Sequence, residues 1–317
     1  MPLFSAGQVK IESGSVGTMV PVDRVTSINV GYNIPRANVN VMNRGKPLAQ
    51  RPVINYTPIE VSLDFYKANK DLEASLGLIN STSVLSNITE TRAGYSSNAV
   101  RNVDVYFAPS NSITYNGVLN VKSGVLTTYS IQGSVGEPVK GSIALQCFDM
   151  SGSFNNSARD SSNYNASLVK PENIALTGIQ FTGIGLTGVT IQSFSFSVGF
   201  NRTQVFEIGK RLPVERPLTD ANASLQVQGF FEGVNNSVPV LSNFVCGDPM
   251  DGELNLTLTP SCVTNPSTTN INIVRPYFDS FSVQGQAGGF STFSLSLSAP
   301  IGPNPNETTD GSVVKIT

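Results

Sequence analysis

Residues 191–233 read IQSFSFSVGFNRTQVFEIGKRLPVERPLTDANASLQVQGFFEG. Phe194, Phe196, Val198 and Phe200 are apolar, and Ser195, Ser197, Gly199 and Asn201 stand between them. A period of two sends alternate side chains to opposite faces, so the segment suits a strand with one dry face and one wet face. Leu225 and Val227 alternate in the same way with Ser224, Gln226 and Gln228. Between the runs, residues 202–217 carry Arg, Lys and Glu and end in Arg216-Pro217. The pattern predicts a long antiparallel hairpin with a large connector.

The same arrangement occurs earlier, in residues 25–66. Ile28, Val30, Tyr32, Ile34 and Arg36 align at one constant offset with Phe194, Phe196, Val198, Phe200 and Arg202. Arg51-Pro52 matches Arg216-Pro217, and Val61 and Leu63 match Leu225 and Val227. A second block aligns without gaps, residues 126–146 on residues 278–298. Its centre sets Tyr129-Ser130-Ile131-Gln132-Gly133 against Phe281-Ser282-Val283-Gln284-Gly285. Two blocks in the same order, with matching loop landmarks, predict a tandem duplication.

The chain has 317 residues, enough for two domains with cores of their own. Charged residues make up 13%, about half the usual share, and Ser, Thr, Asn and Gly take their place. That composition favours an all-β protein over disorder, which needs more charge and fewer apolar residues. The net charge of −2 gives no bulk attraction for nucleic acid. Residues 1–11 lack a basic start and an apolar core, so no signal peptide is expected, and no run approaches a membrane span. Cys147, Cys246 and Cys262 have no metal spacing; Cys246 and Cys262 are a candidate pair in an oxidising setting, against buried or incidental thiols. Triplets such as Asn255-Leu256-Thr257 follow from the Asn/Ser/Thr bias.

Along the chain, residues 2–22 read as a polar lead-in with one edge strand. Residues 69–78 (NKDLEASLGL) read as a short helix capped by Asn69 or Asp71. Residues 103–108, 112–121, 126–132 and 142–147 read as strands. Residues 235–247 stand where a second helix would be, interrupted by Pro239. Strands are expected again at 271–273, 278–284 and 290–297. The expected division is 1–150 for the first copy, 151–167 for a polar linker, 168–299 for the second copy and 300–317 for a flexible tail whose end is a candidate for pairing with a neighbour's sheet.

No His occurs anywhere, which removes His-based triads and His metal ligands. Gly209-Lys210 lacks the upstream Gly and the hydroxyl of a phosphate-binding loop. Asp248 and Asp251 precede Gly252, but no calcium-loop spacing continues from them. No catalytic residue, metal site or cofactor is expected.

The charged connector ending in Arg-Pro and followed by a strand, as in SFSVGFNRTQVFEIGKRLPVERPL, resembles the bacteriophage tail tube protein family. SGVLTTYSIQGSVGEPVKGSIALQCFDM is similar to the closing strands of such proteins. The likeness runs over nearly the whole chain twice, omitting the linker and the tail. It implies an all-β fold with one or two short helices, built as two copies of a β-barrel or sandwich domain. Each copy's long hairpin would join a channel barrel between subunits. The family carries one such domain per chain and stacks hexameric rings. Two copies imply three chains in a pseudo-hexameric ring, located in the virion tail and assembled in the host cytoplasm. The implied partners are further copies of the chain and other tail proteins (tape measure, terminator, baseplate), with DNA in passage and no membrane. An adaptor or baseplate ring of the same fold, and a two-domain β-sandwich that decorates a particle or binds carbohydrate, stay open.

The polar faces of the hairpins supply the channel-lining candidates: Asn29, Asn33, Glu60, Ser62 and Asp64, then Ser195, Ser197, Asn201, Ser224, Gln226 and Gln228. None is Lys or Arg, which suits a conduit that must not hold phosphates. The connectors at 37–55 and 203–220 are long for hairpin loops. Their charged residues Arg44, Lys46, Arg51, Glu207, Lys210, Arg211 and Glu215 are candidates for contacts between stacked rings.

Overall fold

The computed structural model describes residues 4–12, 19–22, 24–33, 39–43, 46–50, 58–67, 72–73, 78, 101–109, 117–153, 176–182, 189–208, 213–214, 216–231, 252–260, 269–285, 291–301 and 313–316. The chain is all-β, with strands β1 (Phe4–Glu12), β2 (Met19–Val22), β3 (Val25–Gly31), β4 (Val39–Asn43), β5 (Lys46–Gln50), β6 (Ile59–Tyr66), β7 (Arg101–Pro109), β8 (Gly117–Ser134) and β9 (Lys140–Cys147) in its first part. There follow β10 (Asp149–Ser153), β11 (Leu176–Thr182), β12 (Val189–Arg202), β13 (Leu218–Phe231), β14 (Glu253–Pro260), β15 (Thr269–Val274), β16 (Tyr277–Gln284), β17 (Thr292–Pro300) and β18 (Val313–Ile316).

The alternating runs form the expected hairpins, β3 with β6 and β12 with β13. They belong to one antiparallel sheet in the order β3-β6-β9-β8-β12-β13-β17-β16. Its first four strands repeat in its last four. β3, β6, β9 and β8 stand where β12, β13, β17 and β16 stand, and the sequence alignment carries each ladder onto its counterpart. Ile28 faces Leu63 as Phe194 faces Val227, and Val61 faces Leu145 as Leu225 faces Leu297. The bulges coincide as well: Val25/Ser27 with Ile191/Ser193, and Leu126/Thr128 with Phe278/Ser280.

Packing shows a compensated exchange at one of these positions. Phe65 faces Gly141 and lies over it, so a Cβ there would meet the ring at 2.3 Å. In the other half the large and small residues change places, Gly229 facing Phe293. A pair that keeps its volume while swapping sides preserves core density.

A second layer also repeats. β8 is long enough to serve two sheets: residues 117–124 pair with β7 and β10, residues 125–134 with β9 and β12. The first half thus has β2-β1-β7-β8-β10, and the second half has β11-β14-β15-β18. Where the chain passes between layers, Ser123 (φ 57°) and the equivalent Arg275 (φ 51°) take a left-handed conformation rare for residues with a Cβ. Gly124 follows because a Cβ there would lie 2.6 Å from Cys147 Sγ and 2.9 Å from the Arg101 carbonyl oxygen.

The dry face of the large sheet and the inner faces of the second layers share one core, with Val105, Leu145, Phe196, Leu225, Leu256, Ile271 and Leu295 buried in it. Each such side chain contributes roughly 1.5–3 kcal/mol by leaving water.

Several expectations are corrected. The lead-in holds two strands, and β1 is interior, between β2 and β7. Ser151–Ser153, assigned to the linker, ends β10. Val313–Ile316, assigned to a loose tail, pairs with β15 and buries Val314 and Ile316, since alternate apolar residues complete an otherwise open core edge. Part of the first connector is a hairpin, β4 with β5. Of the expected helix at 69–78, Leu72 and Glu73 are helical, and Leu78 is described as a bend; the rest, like residues 235–247 and 154–167, lies outside the described residues.

A polar sheet face between two open edges

The wet face of the large sheet is built by the alternation that builds its core. One row crosses seven strands: Ser27, Asp64, Ser142, Ser130, Ser197, Ser224 and Ser298 stand opposite one another in turn. The next row runs Lys140, Gln132, Ser195, Gln226, Ser296, Ser280. Asn29, Ser62, Glu60, Asn201 and Gln228 share this face, and Asn33 follows β3 as an exposed residue.

Short side chains tie the face laterally. Ser27 Oγ donates to Asp64 Oδ2 at 2.6 Å, Gln146 Nε2 to Glu60 Oε1 at 3.3 Å, and Ser298 Oγ to Asp279 Oδ1 at 2.8 Å. Ser197 and Ser224 share a hydroxyl hydrogen bond of 2.8 Å, and Asn201 Nδ2 donates to Asp220 Oδ2 at 3.4 Å. Groups satisfied by their neighbours have little pull left for a ligand. Glu60, Asp64, Asp220 and Asp279 supply negative charge. Lys140, on β9, is a positive residue on the same face that the two hairpins alone did not reveal.

The two halves meet where β8 pairs with β12. Ile131 faces Phe196 and Tyr129 faces Val198, all four fully buried. The connector after β12 reaches back over the first half. Arg216, 6% exposed, stacks on the Phe148 ring at 3.9 Å and donates from Nη1 to the Ser123 carbonyl at 2.7 Å. Gln204 Nε2 donates to Gln146 Oε1 at 3.2 Å. Beneath, burial pushes the Cys147 thiol up to about 12, with Arg216 opposing the shift. Such a thiol is a packing group and not a nucleophile.

Under the same joint, Glu73 is fully buried, accepts from Lys67 Nζ at 2.5 Å and accepts from the Tyr129 hydroxyl. Burial, then the charge of Glu73, then this hydrogen bond raise the Tyr129 hydroxyl well above its ordinary value.

Among the proposed stacking residues, Glu207 is exposed and Lys46 begins β5 opposite Asn43. Arg44, Arg51, Lys210, Arg211 and Glu215 lie outside the described residues, as do Asp248, Asp251, Cys246 and Cys262. The charge pattern missed three apolar residues beside Glu207: Val205, Phe206 and Ile208 are 40%, 49% and fully exposed. Among the described residues no group of three or more His, Cys, Asp or Glu is placed to hold a metal ion, and no helix is long and apolar enough to cross a membrane. No protein-family model and no curated protein matches the chain.

Proposed function

We propose that this chain is a structural subunit of a bacteriophage tail tube, forming stacked rings whose lumen passes the genome without holding it. The supporting observation is a single sheet of two repeated four-stranded units, wet on one face and covered by a second layer on the other. A sheet with unpaired edges invites its own kind, and a head-to-tail contact that closes makes a ring. The covered face has no room to turn inward, so the polar face, which no described strand covers, lines the lumen.

Barrel geometry favours three chains. With strands about 4.8 Å apart and tilted about 40°, three eight-stranded sheets close at about 48 Å between opposite backbones, and two at about 32 Å. Side chains take about 5 Å on each side, leaving about 38 Å or about 22 Å. A duplex roughly 20 Å across would have about 1 Å to spare on each side in the smaller ring, too little for its hydration shell, and about 9 Å in the larger. Location in the virion tail, assembly in the host cytoplasm and contact with tape measure, terminator and baseplate proteins follow from the resemblance. No catalysis is assigned.

Electron microscopy of the purified protein tests this reading: rings and tubes are expected, and a soluble monomer at every concentration would favour the sandwich alternative. Charge tests the lumen. Asp64→Lys with Gln228→Lys is expected to leave tubes intact while genome delivery slows and becomes strongly salt-dependent, because repeated cations capture phosphates. Unchanged delivery across a range of salt would remove these residues from the lumen.

The connectors are assigned to ring stacking. Phe206→Ser with Ile208→Ser should leave stability within about 0.5 kcal/mol, since both side chains already meet water. The expected products are single rings in sedimentation and microscopy; tubes of normal length would exclude this segment from the contact.

A further inference from the structure

Among the described residues, β3 pairs on one side only, with β6, and β16 on one side only, with β17, and each has a counterpart inside the chain that is paired on both sides. β3 aligns with β12, and β16 aligns with the second part of β8. β8 and β12 pair with each other. The equivalent residues differ sharply in exposure. Ile131 and Tyr129 are fully buried at the internal joint, whereas Val283 is 50% exposed and Phe281 half-buried. Phe194, Phe196 and Val198 are buried, whereas Ile28 and Val30 are half-buried and Tyr32 is 40% exposed.

Sheet edges that must stay single carry charge, proline or a bulge. In the second layers, β2, β10 and β18 hold Pro21, Asp149 and Lys315, and β11 has a bulge. The stretches that the alignment with β12 and β8 sets at the joint, residues 27–33 and 280–285, hold no charge and no proline; Asp279 of β16 lies just before them and accepts from Ser298 of its own sheet. The bulges of β3 and β16 lie at their ends and recur in β12 and β8, which pair nonetheless.

We propose that β16 of one copy pairs antiparallel with β3 of the next, in the register by which β8 pairs with β12. That register sets Val30 opposite Val283, Asn29 opposite Gln284 and Tyr32 opposite Phe281, as Phe196, Ser195 and Val198 stand opposite Ile131, Gln132 and Tyr129. The occupant of each edge is therefore a second copy of this chain. The eight strands alternate in direction, so the ninth, β3 of the neighbour, arrives with the direction an antiparallel ladder needs. This inference rests on the ring reading above and specifies its seam.

Cysteine pairs test the register in the full chain. Asn29→Cys with Gln284→Cys probes the wet face, and Val30→Cys with Val283→Cys the dry face. Adjacent residue pairs in an antiparallel ladder alternate between the wide and the close kind, so one of these two sites has the short spacing a disulfide needs. Asn29→Cys with Ser282→Cys is displaced by two residues and serves as the off-register control. Under mild oxidation, at least one in-register pair is expected to yield several-fold more covalent oligomer than the control, the parent and the single variants. The covalent ladder should end in a closed species.

Rings that form without in-register cross-links, or that cross-link better off register, would overturn the seam and leave the tube reading standing. A disulfide closing within one monomer would also overturn it. A parent protein that never assembles, and a double variant that yields no covalent oligomer, would overturn both.

Discussion

Glu73→Ala is expected to lower stability by about 3–5 kcal/mol, the scale for breaking one side of a buried ion pair. The carboxylate is fully buried and serves the Lys67 ammonium and the Tyr129 hydroxyl together. Removing it takes the negative partner from an ammonium that is itself 3% exposed. Chemical denaturation reads the loss directly, and a change below about 1 kcal/mol would show that the cluster is not holding the joint. The same site sets a pH limit. Tyr129 has its hydroxyl raised above the ordinary 10.0, so the folded state holds this proton longer than the unfolded chain. Its contribution is full below about pH 10 and falls as pH rises towards the raised value. Tyr129→Phe should flatten that alkaline loss relative to the parent; an unchanged alkaline profile would assign it to other groups.

The hairpins were legible because alternation codes directly for faces. Phe194 to Phe200, and Leu225 with Val227, became buried, and the Ser, Asn and Gln between them stayed wet or half-buried. Strand β14 carries the same code in Leu254, Leu256 and Leu258, all buried, but the run is short and stands between Gly252 and Pro260, which read as turn residues. β10 and β18 are hidden by composition: Ser151–Ser153 of β10 read as linker and VVKI as a terminus until a partner strand is known. Pairing between halves was not legible, because backbone hydrogen bonds carry no side-chain signature and β8·β12 joins residues far apart in sequence. Lys140 was missed for a related reason. It shares the wet face through β9, and only the ladder shows that β9 lies beside β6. Arg216 stood out as a loop landmark, but its stacking on Phe148 depends on a contact across the joint.

Ile131 and Val283 occupy equivalent positions in opposite circumstances, and the same substitution should therefore fail in two different ways. Ile131 is fully buried between β9 and β12. Ile131→Lys puts an ammonium into that core with no partner, a cost of several kcal/mol, and is expected to give unfolded or insoluble chain. Val283 is 50% exposed on an edge strand, so Val283→Lys lets the ammonium reach water from a folded monomer. Its melting temperature should stay within a few degrees of the parent's. Assembly is where it should fail. A seam that buries Val283 against Val30 of the next copy would have to desolvate the lysine at each repeat, and charge on an edge strand is the usual device for keeping sheets apart. The expected product is a folded, soluble species that forms no rings, measured by sedimentation and microscopy beside the parent. Normal rings from Val283→Lys would mean that this edge faces solvent in the assembly, and that the chain closes through some other surface.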